Sequence, residues 1–251
     1  MTTYKSLLEM TADEWRAALD LALADVPAMV IVEGSWWRQT RTDFSLSYLT
    51  NVRELKFPDM YWGRWQGTPV AYCCAYGAAR AAEPVHIFCR LGARLAVQIG
   101  TCLALQAHLA TGDIVLPETA ACEEGVARQY GAEDTAAGSA EWIRKACQWL
   151  GEQDLTTFVG PHMTWASLLT QRAELVEAWQ ACGYLGKDME TAATYAVSHR
   201  FGVPAVAMLV AWQDANRNRN FLAPLEPAEA QALDRGRQGV YEAALALAAA
   251  L

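Results

Sequence analysis

Three carboxylates mark the C-terminal third of the chain as a place where chemistry could occur. In GKDMETAATYAVSHRFGVPAVAMLVAWQD, Asp188 and Glu190 open a small-residue helix, and Asp214 stands where the next apolar strand ends. A carboxylate at a helix start is stabilised by the helix dipole, so we expect it to stay ionised. Taken alone, Asp188 could be only a helix cap and Asp214 a residue of a solvated loop. Together they indicate a site at the strand ends of an α/β sheet.

Polar residues also follow two other predicted strands. Glu33–Arg38 reads EGSWWR after the strand Met29–Val32, and Gln98–Thr101 reads QIGT at the end of the strand Arg94–Ile99. Ligands of open α/β sheets bind outside the carboxyl ends of the strands. Aromatic residues usually belong to the core, but Trp36–Trp37 beside a Gly-Ser turn could instead line a pocket for a flat ring.

Alternating helices and strands must position these residues, which predicts a single-domain α/β fold with a mixed or mostly parallel sheet covered on both faces. One domain is expected over residues 1–251, with residues 1–27 as an N-terminal helical extension. The helix in this extension begins at a capping box formed by Thr11–Glu14. Further strands are predicted at Tyr61–Trp65, Val70–Tyr76, Ile114–Leu116 and Ala205–Trp212, and helices at Gly77–Gly92 (interrupted by Pro84), Ser139–Leu150, Leu168–Cys182, Glu190–Phe201 and Pro227–Leu251.

Composition narrows the function classes. A net charge of −8 argues against a general affinity for nucleic acid backbones. No apolar run is long enough to span a membrane, and the acidic N-terminus lacks the order of a signal peptide. The 7 cysteines include no CxxC pair, which favours reduced thiols over disulfides or zinc ligands. We therefore expect a cytoplasmic protein without a metal site.

The motifs resemble those of the nucleoside phosphorylase and nucleosidase superfamily, which includes the purine nucleoside and uridine phosphorylases. AVQIGTCLALQAHLATGDIVLP is similar to its strand, Gly-Thr/Ser turn and Gly-Asp-Ile-Val return strand. GKDMETAATYAVSHRFGVPAVAMLVAWQD resembles its Glu-Met-Glu helix and the strand ending in Ser-Asp. VIVEGSWWR is similar to its first strand and phosphate loop. The resemblance covers roughly residues 28–120 and 155–250. It implies that this chain has the family's fold, a mixed central β-sheet flanked by helices.

The resemblance implies specific roles for the carboxylates. Glu190 would accept hydrogen bonds from the 2′ and 3′ hydroxyls of ribose and favour the positive charge that develops on the sugar. Met189 would pack on the sugar, with Asp188 as a further substrate-binding candidate. Asp214 would protonate or hydrogen-bond the leaving base. Arg237 is at a place similar to the basic partner of that acid, with Arg217 or Arg219, or neither, as alternatives.

The implied phosphate site is incomplete. Gly34 and Arg38 match the glycine and arginine of the first loop, and Thr101 stands where the family has a phosphate-contacting Ser or Thr. Gln98 stands where phosphorylases carry a second phosphate-binding arginine. A neutral amide therefore replaces a charged guanidinium that could donate two parallel hydrogen bonds to phosphate. We therefore expect a weak requirement for phosphate.

The resemblance also implies which residues bind the base and which could be supplied by a neighbouring subunit. Trp165, Phe158 and His162 fall in the base-binding segment, although a lone His is more often structural. Family members often borrow a phosphate-binding arginine from another subunit. Arg53 and Lys56 are the candidates here, which implies a homo-oligomer such as a dimer or a trimer of dimers.

The expected activity is phosphorolysis of a nucleoside, with purines preferred, with phosphate as co-substrate and without a cofactor. Hydrolysis by water is the first alternative, with Glu33 as an approximate candidate for the activating glutamate. A non-catalytic nucleoside-binding protein is the second. A simple binding protein would have no need of the base-side acid.

Overall fold

The computed structural model describes residues 6–251, and the ten strands in that range form one mixed sheet. The strands are β1 (Met29–Gly34), β2 (Thr50–Glu54), β3 (Met60–Trp65), β4 (Thr68–Cys74), β5 (Leu95–Ala104), β6 (Ile114–Glu123), β7 (Thr135–Ala137), β8 (Thr157–Trp165), β9 (Gly186–Asp188) and β10 (Ala205–Asp214). The helices are α1 (Ala12–Leu19), α2 (Arg38–Leu46), α3 (Ala78–Leu91), α4 (Val126–Gln129), α5 (Ala140–Glu152), α6 (Ala173–Ala181), α7 (Thr191–Arg200) and α8 (Pro227–Ala248). Short 3-10 turns cover Leu7–Glu9 and Leu23–Asp25.

Part of the sheet closes on itself. The strand order is β10-β6-β8-β9-β5-β1-β4-β3-β2, with β7 beside β6, and β10 also pairs with β5. The strands β5, β9, β8, β6 and β10 therefore form a ring, while β1 to β4 extend from it as an open sheet. Since β1, β4, β5 and β10 run parallel, their carboxyl ends lie at one edge.

Helices cover both faces, which confirms the predicted α/β fold class. On one face α1, α3, α4 and α7 pack on the sheet through a core that includes Leu19, Phe88 and Tyr195. On the other face α5 and α8 pack through a core that includes Trp142 and Tyr241. Burying the central strands on both faces explains their continuous apolar sequences.

The N-terminal segment is attached to this core. Thr11 caps α1 and its side chain accepts from the Glu14 amide at 3.2 Å, which confirms the capping box. Trp15 and Leu19 are buried against the first face. The first five residues of the predicted extension lie outside the described range, and the assignment of one domain to residues 1–251 stays a prediction.

Several predicted boundaries were wrong. Helix α3 continues through Pro84, although an interior proline removes one backbone hydrogen bond and crowds the preceding turn. The burial of Val85 and Phe88 in the core offsets this cost, since most helical stability in proteins comes from tertiary packing. Gly100 and Thr101 continue strand β5 and do not form a turn. The predicted helix Leu168–Cys182 begins only at Ala173. No helix within residues 6–251 combines the length and apolar character needed to cross a membrane.

Candidate active site

A cavity lies where the carboxyl ends of β1, β5 and β10 meet the start of α7. Glu190 forms part of its floor, and Thr101 from β5 and Trp212 from β10 line its sides. The other lining residues are Gly34, Ser35, Trp36, Trp37, Tyr76, Leu103, Leu168, Lys187, Asp188, Met189, Gln213, Phe221 and Arg237. The sequence prediction of a site at the strand ends therefore has a matching cavity.

Glu190 is buried, with 4% of its surface exposed, and its carboxylate accepts two backbone hydrogen bonds. The Gly77 amide donates to Oε1 at 2.6 Å and the Met189 amide donates to Oε2 at 3.2 Å. Burial, and next the charge of Asp188, raise the pKa of Glu190 to about 8. The expectation that a carboxylate at this helix start stays ionised is therefore wrong for Glu190, because desolvation outweighs the two amides.

Asp188 is the carboxylate that caps α7. Its Oδ2 accepts from the Thr191 amide at 2.9 Å and from the Thr191 hydroxyl at 2.6 Å. Its Oδ1 accepts from Thr164 Oγ1 at 2.9 Å and lies 3.4 Å from Nε2 of the buried His162. Burial alone raises the pKa of Asp188, but His162, Thr191 and Thr164 outweigh it and leave the pKa below its ordinary value. Asp188 thus has structural partners, whereas the ring nitrogens of His162 have no hydrogen-bond partner among the described residues.

A smaller pocket adjoins this cavity, and both are lined by Gly34, Ser35, Thr101 and Arg237. Arg41 is the fifth residue, and it lines only the smaller pocket. Arg41 is paired with Glu33 at 2.5 Å. The guanidinium of Arg237 lies 3.7 Å from the largely exposed Asp234 and 5.1 Å from the ring centre of Trp212. We call these five residues the cationic end.

The two residues that the sequence analysis matched to phosphate arginines lie elsewhere. Arg38 is 60% exposed and pairs with Asp59 at 2.6 Å, outside the cavity. Gln98 is fully buried and accepts from the hydroxyl of Thr191 at 2.8 Å, while its amide donates to the Ile99 carbonyl at 3.2 Å. Neither Arg38 nor Gln98 is placed to bind phosphate, because the polar atoms of both side chains already bind other residues away from the cavity.

Asp214 lines the neighbouring cavity and not the one with Glu190. Leu103 and Gln213 are shared by the two cavities. Its Oδ1 accepts from the Asn216 amide at 2.9 Å, and its Oδ2 lies 3.3 Å from Nε of Arg217. Arg217 therefore pairs with Asp214, which was one of the alternatives, and the assignment of Arg237 to this role was wrong.

A bulge in β10 explains the position of Asp214. The register with β5 runs from Ala211 opposite Cys102 directly to Gln213 opposite Leu103, so Trp212 is an extra residue. A bulge re-aims the side chains that follow it. Trp212 faces the Glu190 cavity, and Asp214 turns toward the loop after the strand.

Aromatic rings form the outer wall of the cavity. Trp36 stacks on Tyr76 with 5.4 Å between ring centroids and lies equally far from Phe221. Trp37 packs on Trp212 at 5.2 Å. The alternative that Trp36 and Trp37 line a pocket for a flat ring agrees with this arrangement.

The remaining predicted site residues are outside the cavity lining. Trp165 packs on Trp179 at a centroid distance of 5.6 Å. Phe158 lies near the other end of β8, against His108. Arg53 is on β2 at the end of the strand order, over the ring of Trp62, and Lys56 is exposed in the turn that follows.

Sequence reasoning missed four residues of the site: Lys187, Arg41, Tyr76 and Phe221. Lysine and arginine are usually exposed, so the composition gave no reason to place Lys187 or Arg41 inside. The spacing of Arg41, one helical turn after Arg38, was the available signal. The part of the chain that the structure describes contains no cluster of three or more side chains suited to hold a metal.

Comparisons with known proteins agree with this geometry. The family model of the phosphorylase superfamily matches residues 43–248. A guanosine phosphorylase of Halorubrum lacusprofundi is 30% identical over 146 residues, which cover 57% of this chain and 61% of that protein. A DeoD-type purine nucleoside phosphorylase of Alkaliphilus metalliredigens is 28% identical over 120 residues, covering 47% of this chain and 52% of that protein. The chain thus spans between about half and three fifths of these relatives.

Solved structures show the same fold. The uridine phosphorylase of Vibrio fischeri, in a complex with 6-hydroxy-1-naphthoic acid, superposes with a TM-score of 0.77 at 22% identity and covers 90% of this chain and 92% of its own. This likeness concerns the fold alone. Since the family model matches more than half of the chain, the protein belongs to the phosphorylase superfamily.

Proposed function

We propose that the protein cleaves the N-glycosidic bond of a nucleoside, with purines preferred, by transferring the sugar to phosphate. The observation that carries this proposal is that Glu190 lines one cavity together with Ser35, Thr101 and Arg237 of the cationic end. Two of the relatives are named as phosphorylases of guanosine and of purine nucleosides, which supports the same reaction and the preference.

Glu190 would hold the sugar. Its two oxygens are fixed by the amides of Gly77 and Met189 and face the cavity. An ionised carboxylate accepts hydrogen bonds from the two ribose hydroxyls and stabilises the positive charge that grows on the ring as the bond breaks. Since the pKa of Glu190 is about 8 in the unliganded protein, sugar binding must compete with a proton near neutral pH. Met189 would pack beside the sugar.

The cationic end would bind phosphate. Within residues 6–251 the ion pairs of Arg237 are limited to a 3.7 Å contact with the largely exposed Asp234, so its guanidinium is available to an anion. The hydroxyls of Ser35 and Thr101 can donate hydrogen bonds to the same anion. A phosphate oxygen forms the new bond to the anomeric carbon, and the glycosidic bond breaks with its electron pair going to the base. Arg237 thereby takes the charged role that Gln98 cannot fill.

Hydrolysis is the second candidate, and the loss of an arginine at Gln98 favours it. The candidate base is already engaged, however. Glu33 accepts hydrogen bonds from Arg41 at 2.5 Å, Tyr72 at 2.7 Å and Ser45 at 3.2 Å. Its oxygens would have to give up one of these partners to bind and orient a water molecule. A non-catalytic binding protein is the third candidate, and release of free base from any nucleoside would decide against it.

The same proposal includes a cytoplasmic homo-oligomer, a dimer or a trimer of dimers. Arg53 lies on the strand at the end of the sheet order and Lys56 is exposed, so either could reach a neighbouring copy. All cysteines in the described range are free thiols, which supports a reducing compartment.

The test is base release from a panel of purine and pyrimidine nucleosides, with and without millimolar phosphate. We expect release from a purine nucleoside that rises at least about tenfold with phosphate. Release that is independent of phosphate would support hydrolysis. No release from any nucleoside, at every enzyme concentration, would reject the enzyme proposal.

A further inference from the structure

Lys187 is the one lysine that lines the Glu190 cavity among residues 6–251. It is 3% exposed and lies on β9, opposite Leu103 of β5 and Met163 of β8. Lysine is almost never buried to this degree unless it is paired. Within the described range, however, its ammonium has no hydrogen bond or ion pair with another residue, and Asp188 and Glu190 act on it only through their charge.

The position of Lys187 relative to Glu190 and the cationic end decides what it can meet. Lys187 does not line the cationic end, where phosphate is proposed to bind. It lies beside Leu103, on the side of the cavity that is shared with Gln213 and the neighbouring cavity. With the sugar on Glu190 and the anion at Arg237, this side of the cavity is left for the base of a bound nucleoside, and the aromatic wall lines the same cavity.

Asp214 is not available for the same task. It lines the neighbouring cavity and not the one that Lys187 and Glu190 line. A general acid must be within hydrogen-bond reach of the atom that it protonates. Among residues 6–251, Lys187 is therefore the one cationic donor on the side of the cavity that would hold the base.

We propose, on the basis of the function proposed above, that Lys187 is the catalytic residue that protonates the leaving base. Its partner would be a base with an acceptor at that edge, a ring nitrogen or a carbonyl oxygen as in a 6-oxopurine. The glycosidic bond breaks, its electron pair passes to the base, and a proton moves from Nζ to the acceptor. The phosphate oxygen bonds to the anomeric carbon, and the neutral amine takes a proton from solvent after the base leaves.

Burial supports this role. It lowers the pKa of Lys187 from its ordinary value, although the charges of Asp188 and Glu190 act in the opposite direction. A lowered pKa makes an ammonium a stronger acid and brings it closer to the operating pH, where general acid catalysis is most effective.

The experiment compares two substrates and two variants. The first substrate is inosine or guanosine, whichever the wild type cleaves faster. The second is 4-nitrophenyl β-ribofuranoside, whose leaving group departs without a proton. We expect Lys187→Met to lose about 10²- to 10⁴-fold in kcat/KM on the nucleoside and less than about tenfold on the nitrophenyl riboside. Asp214→Asn, the competing assignment, should show no such difference between the substrates.

Three outcomes would overturn the proposal. One is an equal loss of Lys187→Met on both substrates, which would mean that Lys187 only supports the charge of Glu190. Another is a loss that depends on the leaving group in Asp214→Asn and not in Lys187→Met. The third is unchanged affinity of Lys187→Met for free hypoxanthine or guanine in calorimetry, where we expect at least about tenfold weaker binding.

Two controls keep the result interpretable. Circular dichroism melting checks that Lys187→Met is folded, and Lys187→Gln, which keeps a neutral donor, is measured alongside it. If the wild type releases no base from any nucleoside, the proposed function fails. If the wild type is active and only the variants behave otherwise, the role of Lys187 alone fails.

Discussion

The backbone of Gly34 lies directly against the carboxylate of Glu190. A Cβ built on Gly34 would be 2.7 Å from Oε2, a separation that Cβ atoms essentially never show. A side chain at position 34 would therefore displace the Glu190 carboxylate from its present position. This contact joins the cationic end to the proposed sugar-binding end of the cavity.

Gly34→Ala should displace the Glu190 carboxylate and reduce kcat/KM by at least about 10²-fold, because a shift of about 1 Å at a reacting centre has that effect. Steady-state kinetics on the best nucleoside measures it. Gly151→Ala is the matched control, since a Cβ there meets nothing within 4 Å and Gly151 lies in helix α5. The control should keep full activity and gain about 0.5–1 kcal/mol of stability. Full activity of Gly34→Ala would contradict the predicted position of Glu190.

Glu190→Gln should change how stability depends on pH. The pKa of Glu190 is raised from 4.5 to about 8, so the folded state keeps a proton that the unfolded state has lost. Wild-type stability should therefore fall as pH rises from about 4.5 to about 8 and then level off. The variant lacks this group, so its stability relative to wild type should rise across that window, by on the order of 1–4 kcal/mol. Urea unfolding at several pH values measures the difference. A constant difference would reject the raised pKa.

Activity should depend on the same proton. If the sugar binds to ionised Glu190, kcat/KM should rise with pH up to about 8. Asp188→Asn removes a charge that raises the pKa of Glu190, so the rising limb should move to lower pH. The variant should also lose about 1–3 kcal/mol of stability, because Asp188 is bonded to Thr164 and Thr191. A rising limb that stays in place in Asp188→Asn would contradict the coupling.

Substitution of Arg237 and of Arg38 should have different effects on the KM for phosphate. Arg237→Met should raise the KM for phosphate by about 10- to 100-fold, as expected for a charged hydrogen bond of about 1.5–3 kcal/mol. Arg38→Met should change it by less than about threefold, since Arg38 is exposed and paired with Asp59 outside the cavity. A larger effect at Arg38 than at Arg237 would restore the sequence-based assignment of the phosphate site.

Local signals predicted the local structure well. The capping box at Thr11 needs only residues within one turn, and Gly202 adopts φ 68° after α7, as its position after the helix indicated. Apolar runs identified the buried strands β1, β5 and β10, because strands covered on both faces are apolar throughout. The start of α7 was recognised from Asp188 and Glu190.

The directions of the site's side chains could not be predicted in the same way. One extra residue in β10, Trp212, re-aims Asp214, and a single-residue shift in register exchanges the two faces of a strand. Arg237 reaches the cationic end only because α8 packs over the sheet beside Trp212. The burial of Lys187 follows from β9 closing the strand ring, which the short sequence Gly186–Asp188 does not reveal.

The most direct test of the central claim is the identity of the sugar product. The wild-type protein is incubated with its best nucleoside and phosphate, and the products are followed by phosphorus NMR together with chromatography of the free base. The cavity that joins Glu190 to the cationic end predicts a pentose 1-phosphate formed in equal amount with the base, and no product from Glu190→Ala. Free pentose in place of the phosphate ester, or an undiminished yield from Glu190→Ala, would contradict it.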